Sequence, residues 1–296
     1  MSIEDFIIVV FCVIDDELKK MLGNRKLRQR GRGPGLTDSE TITMEIVGEF
    51  LGQDCDKSIW RYFKSHWQHF FPGIPDRSNF ARQAANLHEI KRLLQDKLSA
   101  DLGALVDTLH IVDGFPMPVC KFARAHFSHI FKGHAAYGYC ATKKERYYGF
   151  RGHLVISSIG VITSAAFTAA NIDERDVCPE LGEKIQGLLL GDKGFIRPEL
   201  QEYLSTKKLY LQTSLRDNMK DNRPKYFVKW MNSTRRLIET VVGQLTERFH
   251  IEKEWARDLW HKASRFWRKI LAHTVCIRIS INIGNEPLQF EHLVSC

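Results

Sequence analysis

A mixed α/β domain preceded by an all-helical region is the fold class this chain predicts, on three observations. Up to about residue 105, apolar residues recur at helical spacing. Beyond that point short apolar runs, several closed by Gly or Asp-Gly, alternate with helical stretches. The composition, 44% apolar and 26% charged, is that of a folded globular chain. A length of 296 residues allows two ordinary domains. The change of texture divides them into a helical region, 1–104, and an α/β domain with C-terminal helices, 105–296.

The helical region opens on the apolar run Phe6–Ile14, nine residues long and too short to span a bilayer. Glu4 and Asp5 precede it where a secretory signal carries positive charge, so it reads as one buried helix and no membrane partner is expected. Arg25-Lys26-Leu27-Arg28-Gln29-Arg30-Gly31-Arg32 is a basic connector, suited to phosphate contact or to plain solvation. Thr37 with Glu40 three residues on is a capping box opening a helix through Val47 and Leu51. Trp60, Phe63, Trp67, Phe70 and Phe71 make a core stripe, and Pro72 and Pro75 break it. Ser78 or Asn79 then starts a further helix through Leu87, Ile90 and Leu94.

In the second region Thr108–Val112 is an apolar strand ending at Asp113-Gly114. Gly149–Ile159 and Val161–Thr168 form a hairpin turning at Gly160. Leu188–Leu190 is a short buried strand ending at Gly191-Asp192-Lys193-Gly194, Lys208–Thr213 is another, and a helix runs from about Asn232 to Phe249. Strand, hairpin, helix, strand, helix, strand, helix is the order of a ribonuclease H-like mixed sheet with flanking helices.

Two carboxylates at strand ends, Asp113 followed at once by Gly114 and Asp192 flanked by Gly191 and Gly194, sit where open α/β sheets bind ligands. Asp-Gly is also a common turn, so either Asp alone says little. Glu239 joins them by geometry. Leu237, Ile238, Val241, Val242, Leu245 and Phe249 share one helix face, and Glu239 lies just outside it beside Arg235 and Gly243. Three hard carboxylates at one edge suit two Mg²⁺ ions, which activate the attacking oxygen and stabilise the leaving oxygen of a phosphodiester.

The net charge of +8 favours a polyanionic partner. Between residues 121 and 151 seven basic residues (Lys121, Arg124, Lys132, Lys143, Lys144, Arg146, Arg151) stand against one acid, Glu145. Phe127, Phe131, Tyr137, Tyr139, Tyr147 and Tyr148 interleave with them, a mixture suited to following a nucleic-acid backbone. The alternative is a solvated insert whose aromatics pack on the domain. Cys120, His126, His129, His134 and Cys140 fall in the same segment, but their spacing matches no standard zinc finger. His153 either faces the site or is a satisfied core residue. Seven scattered cysteines without a CxxC pair read as reduced thiols of a cytosolic protein.

The segments Val112-Asp113-Gly114-Phe115-Pro116-Met117-Pro118-Val119-Cys120-Lys121, Phe131-Lys132-Gly133-His134-Ala135-Ala136-Tyr137-Gly138-Tyr139-Cys140, Leu190-Gly191-Asp192-Lys193-Gly194-Phe195 and Arg235-Arg236-Leu237-Ile238-Glu239-Thr240-Val241-Val242 carry a family resemblance. In this order, and with Leu36-Thr37-Asp38-Ser39-Glu40 near the start, the chain resembles insertion-sequence transposases of the 982 type over nearly its whole length. The resemblance implies a DDE triad of Asp113, Asp192 and Glu239, with Asp113 bridging two Mg²⁺ ions (Mn²⁺ as substitute) and the other two holding one each. Arg235 fills the place, four residues before the Glu, of an Arg common in related transposases. Thr246 stands where a basic residue is usual, with Arg248 as a substitute. Gly114 and Phe195 replace Ser and Tyr of many relatives. The implied activity is cutting and joining DNA, with Lys193 on a phosphate and the helical region reading terminal inverted repeats. The implied setting is a homodimer on transposon ends and target DNA in the bacterial cytoplasm, at the nucleoid. Two rivals remain: a nuclease that cuts without joining, and a catalytically silent DNA-binding regulator. An intact acidic triad speaks against the second, because acids facing phosphate only repel it.

Overall fold

The computed structural model describes residues 1–23, 25, 27, 33–141 and 143–294. Four of the connector's five basic residues, Lys26, Arg28, Arg30 and Arg32, lie outside the described residues. In chain order the elements are α1 (Ile3–Leu22), α2 (Asp38–Phe50), α3 (Asp56–His66), α4 (Arg77–Asn86), α5 (His88–Asp101), β1 (Leu109–Lys121), α6 (Phe122–Ala125), β2 (Ala136–Cys140), β3 (Glu145–Ser157), β4 (Ile162–Ala169), α7 (Glu174–Leu181), β5 (Gly187–Gly191), α8 (Pro198–Thr206), β6 (Leu209–Thr213), α9 (Lys225–Glu247) and α10 (Leu259–Asn282). Among the described residues no helix is long and apolar enough to cross a membrane.

By contact density the chain forms two units, Met1–Leu98 with Leu245–Cys296, and Ser99–Gln244. This differs from a cut at residue 104, because α10 packs on α2 and α4 and so belongs with the N-terminal helices. In this first unit Thr37 accepts from the Glu40 amide at 3.1 Å and Glu40 accepts from the Thr37 amide at 2.6 Å, the expected capping box. Of the expected stripe Phe63, Trp67 and Phe71 are buried, whereas Trp60 is half-buried and Phe70 is exposed. The expected helix from Ser78 is instead two, α4 and α5, divided at Leu87, and its cap is Asp76, which accepts from the Asn79 amide. The unit also buries ions: Arg268, fully inaccessible, lies 2.5 Å from Glu49 and 2.6 Å from Asp56, while Lys91 lies 2.8 Å from Glu45.

The second unit holds the sheet. β1 pairs antiparallel with β3 and parallel with β5, and β5 pairs parallel with β6. The long β3 carries two partners on its far side, β2 along Glu145–Gly149 and β4 along Phe150–Ile156, both antiparallel. Element order is the one expected from sequence, with β2 and the short α6 added. Gly160, at φ +85°, makes the β3–β4 turn in a backbone region that disfavours side chains. Val112, Val155 and Leu189 of the sheet pack with Val177, Leu181, Leu200 and Leu204 of α7 and α8, which fixes both helices on one face.

Two boundaries differ from expectation. β1 does not end at Asp113 but continues to Lys121, because antiparallel pairing with β3 goes on after the parallel pairing with β5 has stopped. Helix α9 begins at Lys225, seven residues before the expected start, with Pro224 at its entrance accepting from the Phe227 and Val228 amides.

Candidate active site

Strands β1 and β5 set the first two acids. Their register pairs Leu109 with Leu188, His110 with Leu189 and Ile111 with Leu190. Carried two residues on, the same offset sets Asp113 level with Asp192, where the two strands part. Asp113 is partly buried and its Oδ1 accepts from the Gly114 amide at 2.8 Å. Asp192 caps the short 3-10 turn Lys193–Phe195, its Oδ1 accepting from the Gly194 amide at 2.7 Å. On α9, Met231, Ile238, Val241 and Leu245 are buried, which leaves Glu239 exposed on the flank where the periodicity put it.

All three line one open cleft of ≈ 560 Å³, together with Glu174, Arg151, Lys193 and Arg235. Burial pushes the Asp113 carboxyl up to about 7. The negative charges of Asp192 and Glu174 push in the same direction, while the Gly114 amide and the Arg235 guanidinium oppose them. The Nε of Arg235 is buried without a hydrogen-bond partner.

Glu174, the first residue of α7, was not singled out by sequence. Arg151 Nη1 donates to its Oε1 at 2.6 Å. Burial raises its pKa, Arg151 lowers it, and Asp192 and Asp173 raise it. A signal existed: Asp173-Glu174-Arg175-Asp176 begins four residues past the end of β4, a strand that runs parallel to β1 and so ends toward the same sheet edge. What a sequence could not reveal is the fit to Gly114, whose missing side chain leaves the space the Glu174 carboxylate fills.

The basic residues divide. Arg151, Lys193 and Arg235 line the cleft with the acids. Arg146 lines a neighbouring one with Tyr137 and Tyr139, both exposed. Lys121, Arg124, Lys132, Lys143 and Lys144 are exposed and are not among the residues lining either cleft. His153 is a core residue: buried, with Nε2 2.9 Å from Thr168 Oγ1 and held down at about 4 by burial and by the Arg151 charge.

The oxygen-only donor set of Asp113, Asp192 and Glu239 fits a hard divalent cation by chemistry. It is not a closed cage: among the described residues, no three His, Cys, Asp or Glu side chains are gathered tightly enough to hold a metal ion.

Residues 103–259, which include all three acids, match the family described as transposase DDE domain. No curated protein matches the chain. Among solved structures it is similar to a cryo-EM structure of a piggyBac transposase synaptic complex with hairpin DNA. The two are 9% identical, 97% of this chain and 83% of that one are covered, and the TM-score is 0.42.

Proposed function

Because the chain belongs to the transposase DDE-domain family, we propose that it cuts DNA at the ends of an insertion sequence of the 982 type and joins those ends to target DNA. The observation that carries this reading is the convergence of Asp113, Asp192 and Glu239 on one cleft that also presents Lys193 and Arg235. Acids alone would repel a phosphodiester; acids beside fixed cations can hold divalent ions and a phosphate together.

Asp113, Asp192 and Glu239 would hold two Mg²⁺ ions, or Mn²⁺ in their place. Such ions supply an activated attacking oxygen and charge stabilisation at the leaving oxygen. The chain contributes the rest. The Gly114 and Gly194 amides fix one oxygen each of Asp113 and Asp192, so those carboxylates present their other oxygens in set directions. Arg235 and Lys193 take the phosphate charge. The helical region reads the terminal inverted repeats, and the working form is a homodimer on DNA at the bacterial nucleoid.

The test is purified protein with labelled terminal-repeat DNA and Mg²⁺, scored for nicked and for joined products. Asp113→Asn, Asp192→Asn and Glu239→Gln should each abolish both products while DNA binding persists. Nicks without joined products would favour the nuclease, and DNA binding with neither product would favour the silent regulator. Full activity in any one variant would remove that residue from the site.

A further inference from the structure

Arg151 differs from the other cations of its segment. It sits on β3 between two paired strands, opposite Pro116 of β1 and Thr168 of β4, so its backbone is fixed on both sides. Its guanidinium is held by Glu174 in a pair that is only about a fifth exposed on either partner (23% and 22%). The pair lines both the large cleft and a smaller one of ≈ 320 Å³, and Asp192 lines both as well. The Glu174 contact uses Nη1, and the Tyr147 hydroxyl also lies within reach of the guanidinium; with five N–H donors, others remain for a phosphate.

Glu174 reaches this position because residue 114 is glycine. A Cβ there would stand 3.0 Å from both Cδ and Oε1 of Glu174, closer than ordinary contact. A side chain at 114 therefore shifts the carboxylate by a few tenths of an ångström and disturbs its hold on Arg151.

We propose that Glu174 is a positioning residue: through the space left at Gly114 it holds the Arg151 guanidinium in the cleft as a preformed clamp for a backbone phosphate of the bound nucleic acid. The inference rests on the transposase reading for its substrate class. A long, exposed Arg pays side-chain entropy when it grips a phosphate; one already held by a strand and a carboxylate has lost that freedom before binding. The planar guanidinium also matches phosphate in a two-point contact that a lysine cannot reproduce.

The sign of one effect separates this role from its rivals. Removing an acid near a polyanion should tighten binding by simple electrostatics. If Glu174 positions Arg151, its removal weakens binding instead. The experiment measures duplex DNA affinity against salt concentration in EDTA, so that no divalent ion and no chemistry enter the reading. Arg151→Ala should weaken binding roughly tenfold, as loss of a charged hydrogen bond does. It should also flatten the log–log salt slope by about 0.9, one duplex phosphate contact. Glu174→Ala should weaken binding several-fold, and Gly114→Ala should weaken it in the same direction by a smaller factor. Glu174→Gln, which keeps an acceptor oxygen, should fall between. In the Arg151→Ala background the sign should reverse, with Glu174→Ala tightening binding. Melting curves on each variant confirm a folded sample, and the two conservative changes, Glu174→Gln and Gly114→Ala, keep the test open if Glu174→Ala does not fold. Unchanged or tighter binding by Glu174→Ala in the wild-type background overturns the proposal. If Mn²⁺ binding is lost at the same time, Glu174 is a metal-holding acid instead. An unaltered Arg151→Ala also overturns it. Failure of the wild-type protein to bind DNA would overturn the transposase reading itself, a distinguishable result.

Discussion

Asp113 and Asp192 stand at one level of the sheet because β1 and β5 run parallel in a register whose last pair, Ile111 and Leu190, lies two residues before each. Two acids on adjacent parallel strands, with Glu174 close by, concentrate negative charge where water is partly excluded. Burial first, and these neighbours second, hold Asp113 at about 7 rather than its ordinary 3.8.

That elevation implies a stability cost in the metal-free protein. Between pH 4 and 7 the folded chain keeps a proton on Asp113 that the unfolded chain has released, so stability from this group falls as pH rises through that window. Asp113→Asn removes the ionisable group. In EDTA the variant should match wild type below pH 4 and exceed it by about 1–3 kcal/mol above pH 7. Urea melts at both pH values check this. A variant less stable than wild type at pH 8 would refute the account, as would an advantage that does not grow with pH.

What could be read from sequence was local. Thr37 with Glu40, Asp192 between two glycines and the apolar face beside Glu239 each depend on spacing along one element, and each stands in the structure where spacing put it. Glu174 was not legible, because its place depends on the level reached by β4 and on an empty position at Gly114, both set by tertiary packing. The division of the C-terminal part was hidden for a related reason. Arg268 and Lys269 are both fully buried because Glu45, Glu49 and Asp56 come to meet them. Charge pattern on one helix does not disclose the complementary charges on another.

The capping box gives a small and clean prediction. Thr37→Ala leaves the Glu40 amide without its acceptor at the entrance of α2 and should lower stability by about 1 kcal/mol. Thr37→Ser, which keeps the oxygen, should restore most of it. Equal losses in the two variants, measured by chemical denaturation, would place the cause elsewhere.

The buried ion network gives a large one. Arg268 faces Glu45, Glu49 and Asp56, and Asp56 is held well below its ordinary range, with Arg268 and Arg265 countering its burial. Arg268→Met would leave Glu45, Glu49 and Asp56 with one cation each (Lys91, Lys269 and Arg265), remove the group that joins all three, and should cost about 3–5 kcal/mol. Loss of under 1 kcal/mol in urea denaturation would mean that water or protonation compensates the acids.

The last prediction concerns the exposed cations of the segment 121–151. Lys143, Lys144 and Arg146 are exposed at the turn into β3 and its start, and Arg146 lines a groove with Tyr137 and Tyr139. Side chains so placed suit phosphate contact, which carries no base information. Replacing all three by Ala should therefore weaken binding to terminal-repeat DNA and to random duplex by the same factor. If each touches one phosphate, the log–log salt slope should flatten by about 0.9 per residue. The comparison with Arg151→Ala is informative: both changes flatten the slope, but the Arg151 effect should respond to substitutions at Glu174 and Gly114 and this one should not. Salt titrations on both DNAs decide it. A slope unchanged in the triple variant would make this surface a solvated turn. A loss confined to the terminal repeats would make it a reader of sequence.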